Sequence, residues 1–406
     1  MWETLKIIGV LLYSQITPYL SDWIKYGDFH KITNPSFDKS IDYIVNIGFF
    51  HVFQSVLYEQ LPCKKVYGCK TKAGNTPDYN DNGLYAWFLT AFLEIFWLSE
   101  MYTKEERAEL FDNLGDFQKC LNLYGIFISL CVYVWAIFSN KESLNEPIIT
   151  GNPIKDFFKG IELHPKNKFG DIKLVINSRV GMMLWGNIVI LAMMASDSTT
   201  VFVSGILQLI YITKFFIWES GYVKTTDITL DRCGYYLFWG CISYVPSVYT
   251  SPIVYHYYHY HNVQIPFAIL SVYLGTLFIF INWVIDRNRL DQRSRKEKGE
   301  DVKGVLFISA PYKTEDGKEN QGWLIASGWL GLASNITYFF EISASLMWTL
   351  AGVIPTGIFC YTYVIYLTVL LVHRTYRIDK KCSEKYGEAW KKYRSYVPYK
   401  IIPGIF

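Results

Sequence analysis

No phosphate-binding glycine loop is present in this sequence: neither G-x-G-x-x-G nor G-x-x-x-x-G-K-[ST] occurs in its 406 residues. That excludes a conventional soluble nucleotide-binding domain, since both loops need glycines where backbone closes on a phosphate. A one-sided charge is missing too. The formal net charge is +3, a balance that carries no nucleic-acid signal. Eight cysteines are scattered without metal-ligand spacing, and Cys63 with Cys69 is too isolated a pair for a zinc site or a disulfide framework. Buried free thiols are the expectation that remains. The N-terminal stretch has Lys6, no basic cluster, and Pro18 where a small-residue cleavage site would stand, so no cleaved signal is expected. No internal repeat or low-complexity tract is evident.

Apolar sequence is what the chain has in excess. Hydrophobic residues make up 51% and aromatics 18%, too much for an ordinary soluble domain of this length. A bilayer core needs about 20 apolar residues as helix. Stretches of that kind run over about 5–24, 42–58, 84–100, 121–138, 180–196, 200–218, 235–253, 265–285, 323–351 and 355–373. The chain therefore predicts an all-α, polytopic membrane bundle of about ten spans in one domain, 1–406, ending in a helix outside the membrane. Glu94, Lys214, Glu219 and Glu341 interrupt these stretches. Polar groups at membrane depth are expensive and are expected to face the bundle interior or a wet cavity, although Lys214 and Glu219 could equally snorkel at a helix end.

Positive charge gathers in two places. Residues 286–303 carry Arg287, Arg289, Arg293, Arg295, Lys296, Lys298 and Lys303, and nine Lys or Arg lie between Arg374 and Lys400. Two spans separate the clusters, which puts both on one face, cytosolic by the positive-inside rule. Within the tail, Tyr386, Trp390, Tyr393 and Val397 recur at intervals of three and four, an aromatic helix face. Arg374, Arg377, Lys381 and Lys385 form a basic row at the same spacing. Such a helix either rests on the membrane surface or grips an anion with its arginines while its aromatic planes bracket a flat ring. The run His256 to His261 places three histidines in six residues; its interleaved tyrosines fit an interfacial aromatic belt better than a metal site.

The tail motif HR-(x2)-R-(x4)-C-(x2)-KYG-(x2)-W-(x2)-Y-(x3)-VPY-(x)-IIPGIF resembles the C-terminal signature of the membrane sterol reductases. That family comprises the delta-14, delta-7 and delta-24(28) enzymes and the reductase domain of the lamin B receptor. Ser327 to Ile342, Phe157 to Trp185 and Thr225 to Pro252 are similar to three further blocks of the family. WGC, SVYTSP and INWVIDRNR look nearest to the delta-24(28) branch. Leu330, Ser334-Asn335, Ile378 and Lys214-Phe215 depart from the family pattern.

The resemblance implies a ten-span bundle that binds NADPH at its cytosolic side, in a cofactor half of about 286–406. Carried over position by position, the implied contacts are Arg289, Arg293, Tyr338, Arg374, Asp379, Cys382, Lys385, Tyr386 and Tyr393. It implies a sterol substrate, the lipid bilayer as surroundings, and no nucleic acid or metal. The host membrane would be the endoplasmic reticulum in a eukaryote or the inner membrane in a bacterium. Reducing a sterol alkene needs a proton before a hydride, hence a positioned acid in an apolar pocket. Glu219, Asp227, Tyr211 and Tyr249 are the candidates. Rival readings are a membrane methyltransferase of the isoprenylcysteine carboxyl type, whose tail is similar, a non-catalytic sterol-binding protein, and a transporter.

Overall fold

The computed structural model describes residues 2–28, 31–71, 75–139, 146–259, 262–313 and 319–406. They form two compact units. The first holds residues 1–264 and 353–362, the second 265–352 and 363–406. Both are mostly helical, as apolar runs in lipid demand, because a helix satisfies its own backbone polar groups. Three antiparallel hairpins depart from the all-α expectation: Lys64–Tyr67 with Asp78–Asp81, Lys166–Asn167 with Gly170–Asp171, and Phe307–Lys313 with Glu319–Ile325.

Six helices among the described residues are long and apolar enough to cross a membrane: Gly83–Met101, Leu114–Phe138, Ile172–Ala195, Thr199–Ile217, Ile265–Glu297 and Ile358–Tyr386. The other expected spans take different forms for local reasons. The 5–24 stretch is split by the turn at Pro18 into Trp2–Ser14 and Leu20–Tyr26. Phe37–Gln60 has 24 residues but carries Asn46, His51 and Gln54 in its middle. The 235–253 stretch becomes Tyr235–Trp239, a π-helical Gly240–Tyr249 around Pro246, and Ser251–His259. The 323–351 stretch starts as strand, and its helix, Ile336–Leu350, has 15 residues.

Exposed apolar stripes run along two helices of the first unit. Phe88, Phe92 and Phe96 are exposed on Gly83–Met101, and Leu123, Phe127, Leu130 and Val134 on Leu114–Phe138. Both sets follow helical spacing, and a bilayer covers such faces at no cost. The interior of this unit is built around two π-helical segments, Val175–Met182 and Gly240–Tyr249. They touch at Gly181, where a Cβ would stand 2.5 Å from the Cys241 carbonyl oxygen. Opposite this core, Lys119 is buried and holds Asp22 at 2.6 Å and Asp116 at 3.2 Å. That network pins the N-terminal helices to Leu114–Phe138.

The segments on either side of Gly160 and Gly234 meet backbone to backbone. Gly160 has φ +86°, and a Cβ there would lie 2.3 Å from the Cys233 carbonyl carbon; one on Gly234 would lie 2.2 Å from the Gly160 nitrogen. The Cys233 amide donates to Glu162 O at 3.0 Å, and Arg232 Nη1 donates to Ile161 O at 2.8 Å. Gly160→Ala and Gly234→Ala are each expected to destabilise the unit by about 1–3 kcal/mol through overpacking. Thermal unfolding in nanodiscs checks this against Gly240→Ala, where an added Cβ meets nothing within 4 Å and the melting temperature should stay put.

In the second unit, Ile265–Glu297 packs along Ile336–Leu350. Asn282 Nδ2 ties the pair by donating to Thr337 O at 2.9 Å and Glu341 Oε2 at 3.0 Å. Gly387, at φ +49°, takes the left-handed turn between Thr362–Tyr386 and Glu388–Tyr396.

Candidate active site

All nine residues assigned to the cofactor fall in the second unit. Arg289 and Arg293 stand one turn apart near the end of Ile265–Glu297. Arg289 donates from Nη2 to Asp286 Oδ1 at 2.7 Å. Arg293 Nε is shut off from solvent and makes no hydrogen bond among the described residues. Its electrostatic neighbours are Arg289, Tyr386, Tyr393 and Cys382. An uncompensated guanidinium N–H of this kind costs free energy unless an acceptor arrives.

The aromatic tail face packs on protein. Trp390, Tyr393 and Val397 are buried together with Ile308 and Ala310 of Phe307–Lys313 and Leu324 of Glu319–Ile325, with Cys382 and Tyr386 at the margin. Trp390 and Tyr393 stack at 4.8 Å between centroids. Burial pushes the Tyr393 phenol up to about 12, with Arg293 pulling the other way. Tyr386 meets Tyr312 edge-on at 5.7 Å, and the Lys385 ammonium lies 3.7 Å from the Tyr312 centroid. Asp379 is a hub within the tail: it accepts from Trp390 Nε1 at 3.0 Å and pairs with Lys400 at 3.3 Å. Arg374 and Tyr338 are half-buried. Two of the departures from the family pattern have structural partners, since the Ser334 and Asn335 amides donate to Tyr399 O and Lys400 O at 3.0 and 2.8 Å. Leu330 is buried in the cluster of Ile285, Ile325 and Phe340.

The four acid candidates lie in the first unit. Glu219 is 1% exposed and both its oxygens are occupied. Arg179, fully buried in the π-helical segment, donates Nη1 to Oε1 and Nη2 to Oε2, the latter at 2.7 Å. Arg179 Nη2 also reaches Asn82 Oδ1 at 3.0 Å, and the Gly83 amide donates to Glu219 Oε2 at 3.1 Å. This bidentate pair joins the first turn of Gly83–Met101, the Ile172–Ala195 span and the end of Thr199–Ile217. Its geometry is that of a tie between helices. Asp227 is half-buried in the short helix Thr226–Thr229. That helix is held by the buried Lys173, whose Nζ donates to Ile228 O at 2.6 Å and Asp231 O at 2.8 Å.

Tyr211 and Tyr249 converge. Both rings contact Trp185, which is fully buried in the bundle: Tyr211 at 5.7 Å and Tyr249 edge-on at 5.2 Å. Trp185 is itself oriented by Nε1 donating to Gln208 Oε1 at 2.7 Å. The Lys214 ammonium lies 5.2 Å from the Tyr211 centroid. Two spans and a π-helical segment thus bring two half-buried phenols, a buried indole and a half-buried cation to one place. Sequence reasoning singled out the tyrosines but missed Trp185 and Arg179. Arg179 had a visible signal, a lone arginine inside the apolar run RVGMMLW.

The histidine run goes elsewhere. His256 Nε2 lies 3.9 Å from Cys360 Sγ, and His259 Nε2 pairs with Ile24 O at 2.8 Å. Tyr260 and His261 lie outside the described residues.

Comparison with known proteins places these features. The model of the Ergosterol biosynthesis ERG4/ERG24 family matches residues 9–406. The chain is 38% identical to the 7-dehydrocholesterol reductase of Arabidopsis thaliana over 88% of its own length and 83% of the relative's. It is 33% identical to the 7-dehydrocholesterol reductase of Xenopus laevis, covering 84% and 73%. With the Delta(14)-sterol reductase of Methylotuvimicrobium alcaliphilum it shares 31% over 87% and 81%. A match over nearly the whole chain displaces the methyltransferase and transporter readings. The chain belongs to the Ergosterol biosynthesis ERG4/ERG24 family of sterol reductases.

Proposed function

We propose that this chain reduces a carbon–carbon double bond of a sterol with NADPH, that the bond is the ring alkene of delta-7 type, and that Tyr211 is the proton donor. The carrying observation is the Trp185–Tyr211–Tyr249 cluster, two phenols against a buried indole among the apolar helices. A phenol carries an O–H that can be donated to an alkene, and flanking aromatic faces stabilise a passing carbocation. The named activity of the plant and frog relatives supports delta-7. The WGC, SVYTSP and INWVIDRNR segments favour delta-24(28) as a second reading. Sterol profiling by mass spectrometry after expression in reductase-deficient yeast separates them. Loss of the delta-7 alkene supports the proposal; loss of a different alkene, or none, overturns it.

The residues of the second unit fit NADPH. Arg293 Nε, shut off from solvent and without a hydrogen bond among the described residues, offers a donor to an anion, with Arg289 one turn away and Lys385, Tyr386 and Tyr393 nearby. Arg289, Arg293, Arg374 and Lys385 would hold phosphates, Tyr338, Tyr386 and Tyr393 the rings, on the side carrying the basic loops, which we assign to the cytosol. When bound, the cofactor supplies the hydride. Arg293→Ala is expected to weaken NADPH binding by roughly tenfold to a hundredfold, the value of a charge-assisted contact of about 1.5–3 kcal/mol. Titration calorimetry reads this directly. Unchanged affinity would assign the arginine to packing alone.

A further inference from the structure

Each turnover delivers one proton to the sterol, so the acid, half-buried in the bundle, must be reloaded from water after every cycle. Lys214 is the one charged residue of Thr199–Ile217. It lies in the last turn of that helix and is half-buried, so its side chain spans interior and surface. Here the ammonium lies over Tyr211, three residues earlier on the same helix face, 5.2 Å from the ring centroid. A flexible four-carbon stem lets the same ammonium swing along the ring to the hydroxyl.

We infer that Lys214 is the relay that reprotonates Tyr211; the inference rests on Tyr211 being the acid. In the first step the Tyr211 O–H bond breaks and its proton bonds to one alkene carbon through the π pair. This leaves a phenolate and a tertiary carbocation on the sterol; bound NADPH would supply the hydride, with its electron pair, that closes it. The Lys214 N–H bond then breaks, its proton bonds to the phenolate oxygen, and the neutral amine takes a proton from water. Lysine suits this role because an ammonium both attracts the phenolate and releases its proton. Arginine cannot, since a guanidinium stays protonated in proteins.

Rapid-quench kinetics on the full chain in nanodiscs, with sterol and NADPH present, separates the possibilities. A resting enzyme already carries its phenolic proton. Lys214→Met is therefore expected to form the first product equivalent at close to the wild-type rate. Its steady-state rate should then fall by about tenfold or more, leaving a burst of about one product per enzyme. Lys214→Arg should behave in the same way. Steady-state turnover restored by Lys214→Arg would show a fixed charge to be sufficient and would overturn the relay. So would a first turnover slowed as much as the steady state, the mark of a structural role, or wild-type steady state in both variants. Tyr211→Phe with a normal first turnover would instead overturn the acid assignment, and the relay with it.

Discussion

Tyr211→Phe is expected to lower sterol turnover by about 10²- to 10⁴-fold, the usual contribution of a positioned general acid. The substitution removes one oxygen and keeps the ring that contacts Trp185 at 5.7 Å, so packing of the bundle should survive. Melting temperature and NADPH affinity should match wild type, which confines the loss to the chemical step. Tyr249→Phe is the natural comparison, since its ring touches the same indole at 5.2 Å. A larger loss in Tyr249→Phe than in Tyr211→Phe would exchange the two roles. Wild-type turnover in both would remove the aromatic cluster from the chemistry and return attention to Asp227.

Arg179→Met should cost about 3–5 kcal/mol, because it strands the Glu219 carboxylate in a site that is 1% exposed. Set against a total stability of roughly 5–15 kcal/mol, that is enough to deplete the folded protein. Glu219→Gln leaves a buried guanidinium facing a neutral amide and should be damaging for the same reason. Replacing both, as Arg179→Met with Glu219→Leu, removes both charges and should recover much of the loss, a strongly non-additive result. Size-exclusion profiles and thermal unfolding provide the measure. Single variants as stable as wild type would show that the pair is no structural tie. Loss of activity in Glu219→Gln therefore has to be judged beside its melting temperature before any catalytic role is assigned.

Much of the fold was legible in the sequence wherever an apolar run is unbroken. The stretch 84–100 became Gly83–Met101 and 200–218 became Thr199–Ile217. Where the run contains a breaker, composition alone misleads. Pro246 sits inside a stretch apolar enough for a span, yet the backbone widens there into a π-helix. Val175–Met182 widens likewise without any proline, and nothing in its composition announces that. The aromatic period of the tail was readable, but its partner was not, because pairing of Phe307–Lys313 with Glu319–Ile325 is a tertiary outcome. For the site, single residues were legible and pairings were not. Glu219 stood out as a carboxyl in an apolar stretch, while its partner Arg179 is 40 residues away in sequence. The meeting of Tyr211, Tyr249 and Trp185 depends on how two spans and a π-helical segment rotate about their axes, which side-chain identity does not specify.

The proposed reaction adds a proton from water and a hydride from NADPH across a sterol alkene. The direct measurement is mass spectrometry of the product made by purified protein in nanodiscs from a delta-7 sterol, in two labelling arms. With NADPH deuterated at the transferred position, in ordinary water, the account predicts one deuterium per product. With unlabelled NADPH in heavy water it again predicts one carbon-bound deuterium, at the neighbouring carbon. An unreduced sterol in both arms, or a product with no label from the cofactor, would contradict it.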